Sequence, residues 1–238
     1  MSRRRLHVPP ERIDGATAHP DAASLHYLSS VLRLEPGAEV EVFDGAGGAW
    51  PATFTGTALR LGERRDAPRP GAEVWIAFAL PRGEKGDLVV QKCVELGASR
   101  LVPWQAERSV VRLEAARAVD RAARWRRIAA EAARQCGRSD VPEVAVPGPL
   151  VAALDAPPGF GRVLFHAGAG APLAEVVRPG AAGWLAVVGP EGGITDGEVG
   201  ACVDAGCRLA TLGPRVLRAE TAAIAAAALL QHIAGDLG

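Results

Sequence analysis

Aromatic residues are scarce in this chain of 238 residues: 5% overall, with a single Tyr. Proteins that hold unstacked nucleobases commonly spend aromatic side chains on them, so stacking here has to come from Arg planes or from a nucleic acid itself. Lysine is scarcer still. Lys85 and Lys92 are the only lysines, and every other basic side chain is Arg. GC-rich codons account for that bias, so function is sought in where the arginines sit, not in their number. Net charge is absent as well, since 27 basic residues meet 27 acidic ones. That excludes a uniformly cationic nucleic-acid coat and leaves room for a local basic face. The four cysteines, Cys93, Cys136, Cys202 and Cys207, form no C-x-x-C pair and have no His at ligand spacing; buried free thiols and no metal are expected. No apolar run follows the N-terminal arginines as a signal peptide requires, and the longest such run, Ala222 to Leu230, is too short for a bilayer. A cytoplasmic protein with no membrane partner is expected.

What is present is apolar side chain, 48% of residues, enough for a sizeable core without metal or disulfide support. Residues 1 to about 64 read as a small β-rich domain. Glu39 to Phe43 and Trp50 to Thr55 favour strand, and Glu35-Pro36-Gly37 and Asp44 to Gly48 mark turns. One helix is expected between Asp21 and Leu34, with Leu25, Leu28, Val31 and Leu32 on its buried face. A helix among short strands suggests a small barrel. Arg3-Arg4-Arg5 is either an RNA-touching arm or a solvated tail.

Gly62 to Gly71 reads as a linker, which puts a boundary near residue 70. Beyond it the hydrophobic period changes. Glu73 to Leu80 is a nearly unbroken apolar run, as a strand buried on both faces should be. The loop Pro81 to Gly86 follows, then a helix carrying Leu88, Val89, Cys93, Val94 and Leu96, stopped by Gly97. Leu101 to Trp104 and Gly161 to Phe165 supply further strands, with a Pro-rich stretch of loop and short helix from Val141 to Gly161. Strands alternating with helices predict βαβ units and a parallel sheet over 71–238. From Arg108 to Arg138 nine arginines meet Glu114, Asp120 and Glu131. On a helical wheel Arg127, Arg134 and Arg138 fall on one side, and Arg117, Arg121 and Arg124 on its neighbour. Either this is a solvated face or it tracks phosphates, because acidic partners at i+4 are too few to neutralise it.

Two loops near the C-terminus carry the strongest signal. Gly189-Pro190-Glu191-Gly192-Gly193 leaves the apolar run Trp184 to Val188, and Thr195 with Glu198 forms a T-x-x-E capping box for the next helix. No Lys-Ser/Thr or G-x-G-x-x-G is present, so this is neither a P-loop nor a dinucleotide fingerprint. A carboxylate at Glu191 repels phosphate and suits a cationic ligand. Leu212 to Ala222 sets Arg215, Arg218 and the aliphatics Val216 and Leu217 between a strand and a helix start. Aliphatics there can sandwich a flat ring, and the arginines can hold an anion. Both loops leave the carboxyl edge of a parallel sheet, where ligands bind in open α/β folds. His166 closes the strand ending at Phe165 and is either a base or a structural residue, while His232 is expected to pack within the last helix.

Together with Arg82-Gly-Glu-Lys85, Gln91-Lys92-x-x-Glu95-Leu96-Gly97, Glu107-Arg108 and Gln135-Cys-Gly-Arg138, these loops resemble the ribosomal RNA small subunit methyltransferase E family of the SPOUT class. Val31-Leu32-Arg33 and Phe43-Asp44-Gly45 match more loosely. The resemblance implies an α/β fold whose C-terminal, mostly parallel sheet carries a trefoil knot, preceded by a PUA-like β-barrel. It implies a homodimer that binds S-adenosylmethionine and methylates N3 of a uridine in 16S rRNA of the small ribosomal subunit. Carried over by position, the cofactor lies among Phe165, His166, Gly189, Pro190, Gly192, Leu212, Gly213, Val216 and Leu217. Arg218, helped by Arg138, would stabilise the uridine anion, and Glu191 or Glu220 would accept a proton or orient those arginines. RNA would meet Arg3, Arg4, Arg5, Arg33, Arg82, Lys85, Arg108 and Arg134. Two positions depart from the pattern: Arg134 stands where relatives often have Glu, and Leu6-His7 where they often have aromatics, which bears on RNA contacts. Two rivals stay open, an RNA-binding or assembly factor without catalysis and a ribose 2′-O-methyltransferase.

Overall fold

A computed structural model describes residues 4–67, 71–234 and 237. It divides into a unit of residues 1–69 with 130–141 and a unit of 70–129 with 142–238.

In the first unit the elements run β1 (Arg5–His7), β2 (Ile13–Asp14), β3 (Thr17–Ala18), α1 (Ala22–His26), β4 (Glu39–Phe43), β5 (Gly48–Phe54), β6 (Leu59–Leu61) and β7 (Arg65–Asp66). They form one seven-stranded sheet, ordered β1-β4-β5-β6-β3-β2 with β7 on β5. Only the β1–β4 pair is parallel among the described strands. Period-2 alternation does what it should in β4: Val40 and Val42 turn into a core with Leu6, Leu28, Phe54 and Leu59, and Glu39 stays outside. Asp21 caps α1 by accepting from the Ser24 amide at 2.7 Å. The helix then widens over Tyr27–Val31, where the Leu32 amide donates to the Tyr27 carbonyl at 2.9 Å. That five-residue spacing adds a residue to the turn and rotates Val31 outward to 61% exposure, against the buried position expected for it.

The residues 130–141 belong to this unit because Arg5 holds them. Its Nη1 donates to the Arg138 carbonyl at 2.9 Å and its Nη2 to Ser139 Oγ at 3.1 Å. Its Nε donates to Glu41 at 2.6 Å, and the guanidinium sits 4.6 Å from the Phe43 ring centroid. A return bond runs from the Val141 amide to the Gly45 carbonyl at 2.8 Å. The boundary expected near residue 70 contains none of this second segment.

The second unit adds β8 (Glu73–Ala79), α2 (Lys85–Glu95), β9 (Arg100–Trp104), α3 (Ala115–Cys136, crossing into the first unit at Ala130), β10 (Glu143–Val144), α4 (Leu150–Ala153), β11 (Phe160–Phe165), β12 (Ala171–Pro172), α5 (Leu173–Val176), β13 (Gly183–Val188), α6 (Asp196–Asp204), β14 (Arg208–Thr211) and α7 (Ala219–Ala234). The strands lie in the order β10-β9-β8-β13-β11-β14-β12, every described pairing parallel. β8 and β13 are buried along nearly their whole length, which is why both read as unbroken apolar runs. α2 buries Val89, Val90, Cys93 and Val94. Leu88, carried by the same helix, is 42% exposed.

α3 buries Ala118, Ala122, Trp125, Ala129 and Ala132 at three- and four-residue spacing. Arg108 and Arg138 lie outside it, so the arginine run is not a single helical face. Capping begins α6 as expected, with Thr195 and Glu198 bonded reciprocally. It ends in a Schellman turn: the Cys207 amide donates to the Cys202 carbonyl at 2.9 Å and the Gly206 amide to Val203 at 2.8 Å. α7 buries a face of small residues, Ala223, Ala226 and Ala227 with Leu230, and lies against α2, β8 and β13. His232 does not pack as expected; it is exposed, with Nδ1 2.9 Å from the Leu237 carbonyl. Cys136 is exposed too, whereas Cys93, Cys202 and Cys207 are buried, and burial pushes the Cys93 thiol up to about 12. No described helix is long and apolar enough to cross a membrane.

Candidate functional site

Strand order builds the site. β13 lies between β8 and β11, and β14 lies on the other side of β11. All run parallel, so the loops leaving β11, β13 and β14 emerge side by side at one sheet edge. They enclose a cavity of about 350 Å³. Phe165 and His166 line it from the first loop, Gly189 and Pro190 from the second, and Leu212, Gly213, Val216 and Leu217 from the third. These are the cofactor positions expected from sequence, with one exception. Gly192 does not line the cavity; Gly193, at φ +79°, does. A Cβ on Gly192 would stand 2.9 Å from the Arg108 carbonyl oxygen, so packing alone demands glycine there.

Arg215, read as able to hold an anion, also lines the cavity, and sequence reasoning missed Ile194, Ala219 and Ala222, which line it too. Each sits one to three residues from a predicted position, and the loop motifs carried that signal. The walls are apolar on two sides, from Ile194 and from Leu212, Val216 and Leu217. Val216 is 82% exposed, an aliphatic left at the mouth of the cavity. His166 turns its Nδ1 to accept from the Gly168 amide at 3.1 Å, which braces its own loop.

The acidic side of the cavity is organised by Lys85, a residue expected to bind RNA. Its ammonium lies 3.2 Å from Glu191 Oε1 and 3.2 Å from Glu220 Oε1. The hydrogen bonds to Glu220 and then Glu191 raise the ammonium above its ordinary pKa, so it stays charged. Glu191 lines the cavity; Glu220 is buried, with its Oε2 lacking a hydrogen-bond partner.

Arg108, expected on the RNA side, also lines the cavity. Its segment is anchored by Glu198, whose Oε1 accepts from the Glu107 amide at 2.8 Å while Oε2 accepts from the Thr195 amide at 2.9 Å. The capping glutamate thus ties the strand-β9 loop to the start of α6. Arg218 is exposed and does not line the cavity, although its neighbours Leu217 and Ala219 do. Its carbonyl accepts from the Ala222 amide at 2.8 Å, which fixes it at the start of α7, on the rim. Arg138 belongs to the first unit and ion-pairs with Asp140. Burial pushes the Asp140 carboxyl up, yet the bond and charge from Arg138 outweigh that and hold it below its ordinary value.

The remaining RNA candidates separate by exposure. Arg3 lies outside the described residues. Arg5 has an 8% exposed side chain and is consumed by Glu41 and the 130–141 segment, so it is not an RNA-touching arm. Arg134 pairs with Glu131 and donates to the Tyr27 hydroxyl at 3.2 Å. Arg33 and Arg82 are exposed, and Arg33 holds φ +51°. Arg4 lines a groove of about 530 Å³ in the first unit, together with Arg60 and Arg65, which sequence reading did not single out.

Family comparison agrees with this geometry. Residues 68–231 match an RNA methyltransferase domain, and residues 20–58 an RNA methyltransferase PUA domain. The chain is 37% identical to the ribosomal RNA small subunit methyltransferase E of Synechocystis, over 96% of this chain and 77% of that one. It is 32% identical to that of Mycobacterium bovis, over 89% and 85%. Among solved structures it is similar to the Neisseria gonorrhoeae methyltransferase E bound to S-adenosylmethionine, with a TM-score of 0.86, 30% identity and 97% of each chain covered. It is also similar to a Legionella pneumophila methyltransferase in complex with the same cofactor, with a TM-score of 0.88, 27% identity and 98% of each chain covered. With both of its units matched and its relatives aligned along most of their length, the chain belongs to the ribosomal RNA small subunit methyltransferase E family.

Proposed function

We propose that this protein transfers the methyl group of S-adenosylmethionine to N3 of a uridine in 16S rRNA of the small ribosomal subunit. The observation that carries the reading is the three-loop cavity, with aliphatic walls and a single carboxylate, Glu191, on its lining. Those residues fit the cofactor. Leu212, Val216 and Leu217 offer faces for a flat ring, and the Glu191 carboxylate, shared with Lys85, is the acidic group on the lining. When bound, the cofactor supplies an electrophilic methyl group.

The protein's part is to present a nucleophile to it. Neutral uridine carries a proton on N3, and its removal leaves negative charge. Arg218, on the rim beside Leu217, would stabilise that anion or its flanking phosphate. One opposite charge moves a pKa by about 1–3 units, or about 1.4–4 kcal/mol. Arg108 and Arg215 add two further cations at the cavity. Glu191 lines the cavity and Glu220 does not; because Glu191 is already ion-paired to Lys85, it orients the site, and the N3 proton leaves to solvent. The uridine has to leave any stack to reach this mouth, where the exposed Val216 side chain gives it an apolar contact.

The first unit, PUA-like by family, would grip rRNA through exposed arginines, with Arg4, Arg60 and Arg65 along its groove supplying phosphate contacts. A homodimer working in the cytoplasm, and a trefoil knot formed as the chain returns through β14 to lay α7 against α2, belong to the same reading. Calorimetric titration with S-adenosylmethionine tests it. Saturable binding that is lost when Val216 and Leu217 are both replaced by Asp is expected. No binding to the intact protein would leave an RNA-binding factor without catalysis.

A further inference from the structure

Lys85 is in an unfavourable place for a lysine. It opens α2 at the helix N-terminus, where the peptide dipoles favour anions and disfavour an ammonium. Glu84, at the cap position, makes no side-chain capping bond that would compensate. Helix physics therefore does not explain the residue, and the two carboxylates across from it do. Glu191 comes from the loop after β13 and Glu220 from the first turn of α7; Lys85 reaches both at 3.2 Å. These two segments carry opposite walls of the cavity: Gly189, Pro190 and Gly193 on one, Val216, Leu217 and Ala219 on the other. Without the ammonium, the walls would each present a carboxylate to the other and repel.

We infer that Lys85 is a positioning residue that clamps the Gly189–Gly193 loop to the start of the last helix and so holds the cofactor cavity at its binding width. It acts through Glu191 and Glu220, and the inference rests on the cofactor reading above. The clamp is half exposed, with the side chains of Lys85 and Glu191 at 35% and 34%, so its effect is moderate. Because it preforms the site, its loss is felt in binding more than in the chemical step.

The test uses the full chain and S-adenosylmethionine as probe, with dissociation constants and steady-state kinetics on unmethylated small subunits measured in parallel. Lys85→Met should weaken cofactor binding by about three- to fivefold and raise KM for the cofactor by a similar factor, with kcat at saturation at least half of wild type. Lys85→Arg should recover most of the loss, since it keeps the charge between the two carboxylates. Glu220→Gln should weaken binding as well, and Lys85→Met with Glu220→Gln should be no worse than Lys85→Met alone, because both remove one shared interaction. Binding within twofold of wild type in Lys85→Met would overturn the clamp. So would strictly additive losses, no recovery with Arg, or a fall confined to kcat. If Lys85→Met does not fold, Lys85→Arg and Glu220→Gln decide by the same criteria. Failure of the wild-type protein itself to bind S-adenosylmethionine would instead remove the cofactor reading, so the two failures are told apart.

Discussion

The arginines of α3 and its C-terminal extension can be set against those on the loops at the cavity. In sequence the first group is the conspicuous one, dense and poorly neutralised by its neighbours. In the structure much of it is occupied. Arg124 pairs with Asp87, Arg134 with Glu131 and Tyr27, and Arg138 with Asp140, while Arg126 donates to the Val144 carbonyl at 3.0 Å. The loop arginines are sparse, and the opposite holds for them. Arg108, Arg215 and Arg218 are exposed and have no ion pair among the described residues. Charge density along a chain is therefore a poor guide to free charge. What leaves a guanidinium available for a substrate is the lack of a carboxylate within reach, and at this sheet edge Lys85 has already taken the nearby carboxylates Glu191 and Glu220.

Substitutions can sharpen or break that contrast. The largest effect is expected at Arg218: replacement by Ala should lower kcat by about 100-fold or more, in the range for removing a preorganised donor at developing charge. Its cofactor dissociation constant should stay near wild type. Unchanged turnover in a folded variant would remove the catalytic assignment. Arg5→Met should do the reverse. Its buried guanidinium serves Glu41, the Arg138 carbonyl and Ser139, so its loss should cost about 3 kcal/mol of stability, read from the urea midpoint, and leave cofactor affinity intact. Gly192→Ala brings a methyl group to 2.9 Å from the Arg108 carbonyl. The displaced loop should cost about 1–3 kcal/mol, seen by titration as cofactor binding about tenfold weaker. The smallest change is expected at Arg117 and Arg127, exposed on α3 with no ion pair among the described residues. Replacing both by Gln should lower the slope of log affinity for rRNA against log salt by about 1, with methyl transfer at saturating RNA unchanged.

The cavity was legible in the sequence because its signals are local. A glycine loop, a capping box and exposed aliphatics each lie within one strand–loop–helix unit, and the parallel order brings such units to one edge. The occupied arginines were not legible, because their partners are distant or belong to another element: Arg124 reaches 37 residues back to Asp87. Lys85 was read as an RNA contact for the same reason. Glu191 lies 106 residues away in sequence, and only the β8–β13 pairing makes them neighbours. Period-based reading failed at Val31, where the widened turn over Tyr27–Val31 breaks the 3.6-residue repeat. It also failed to see that residues 130–141 complete the first unit, since nothing about Arg5 in sequence announces that it bonds the end of a helix more than a hundred residues on.

Mapping the transferred methyl group tests the central claim most directly. Purified protein would be incubated with isotopically labelled S-adenosylmethionine and small ribosomal subunits that lack the modification, and the rRNA digested to nucleosides for mass spectrometry. The cavity and its rim arginine predict label in 3-methyluridine, lost in Arg218→Ala. Label in a 2′-O-methylated nucleoside, or none at all with cofactor bound, would contradict the account.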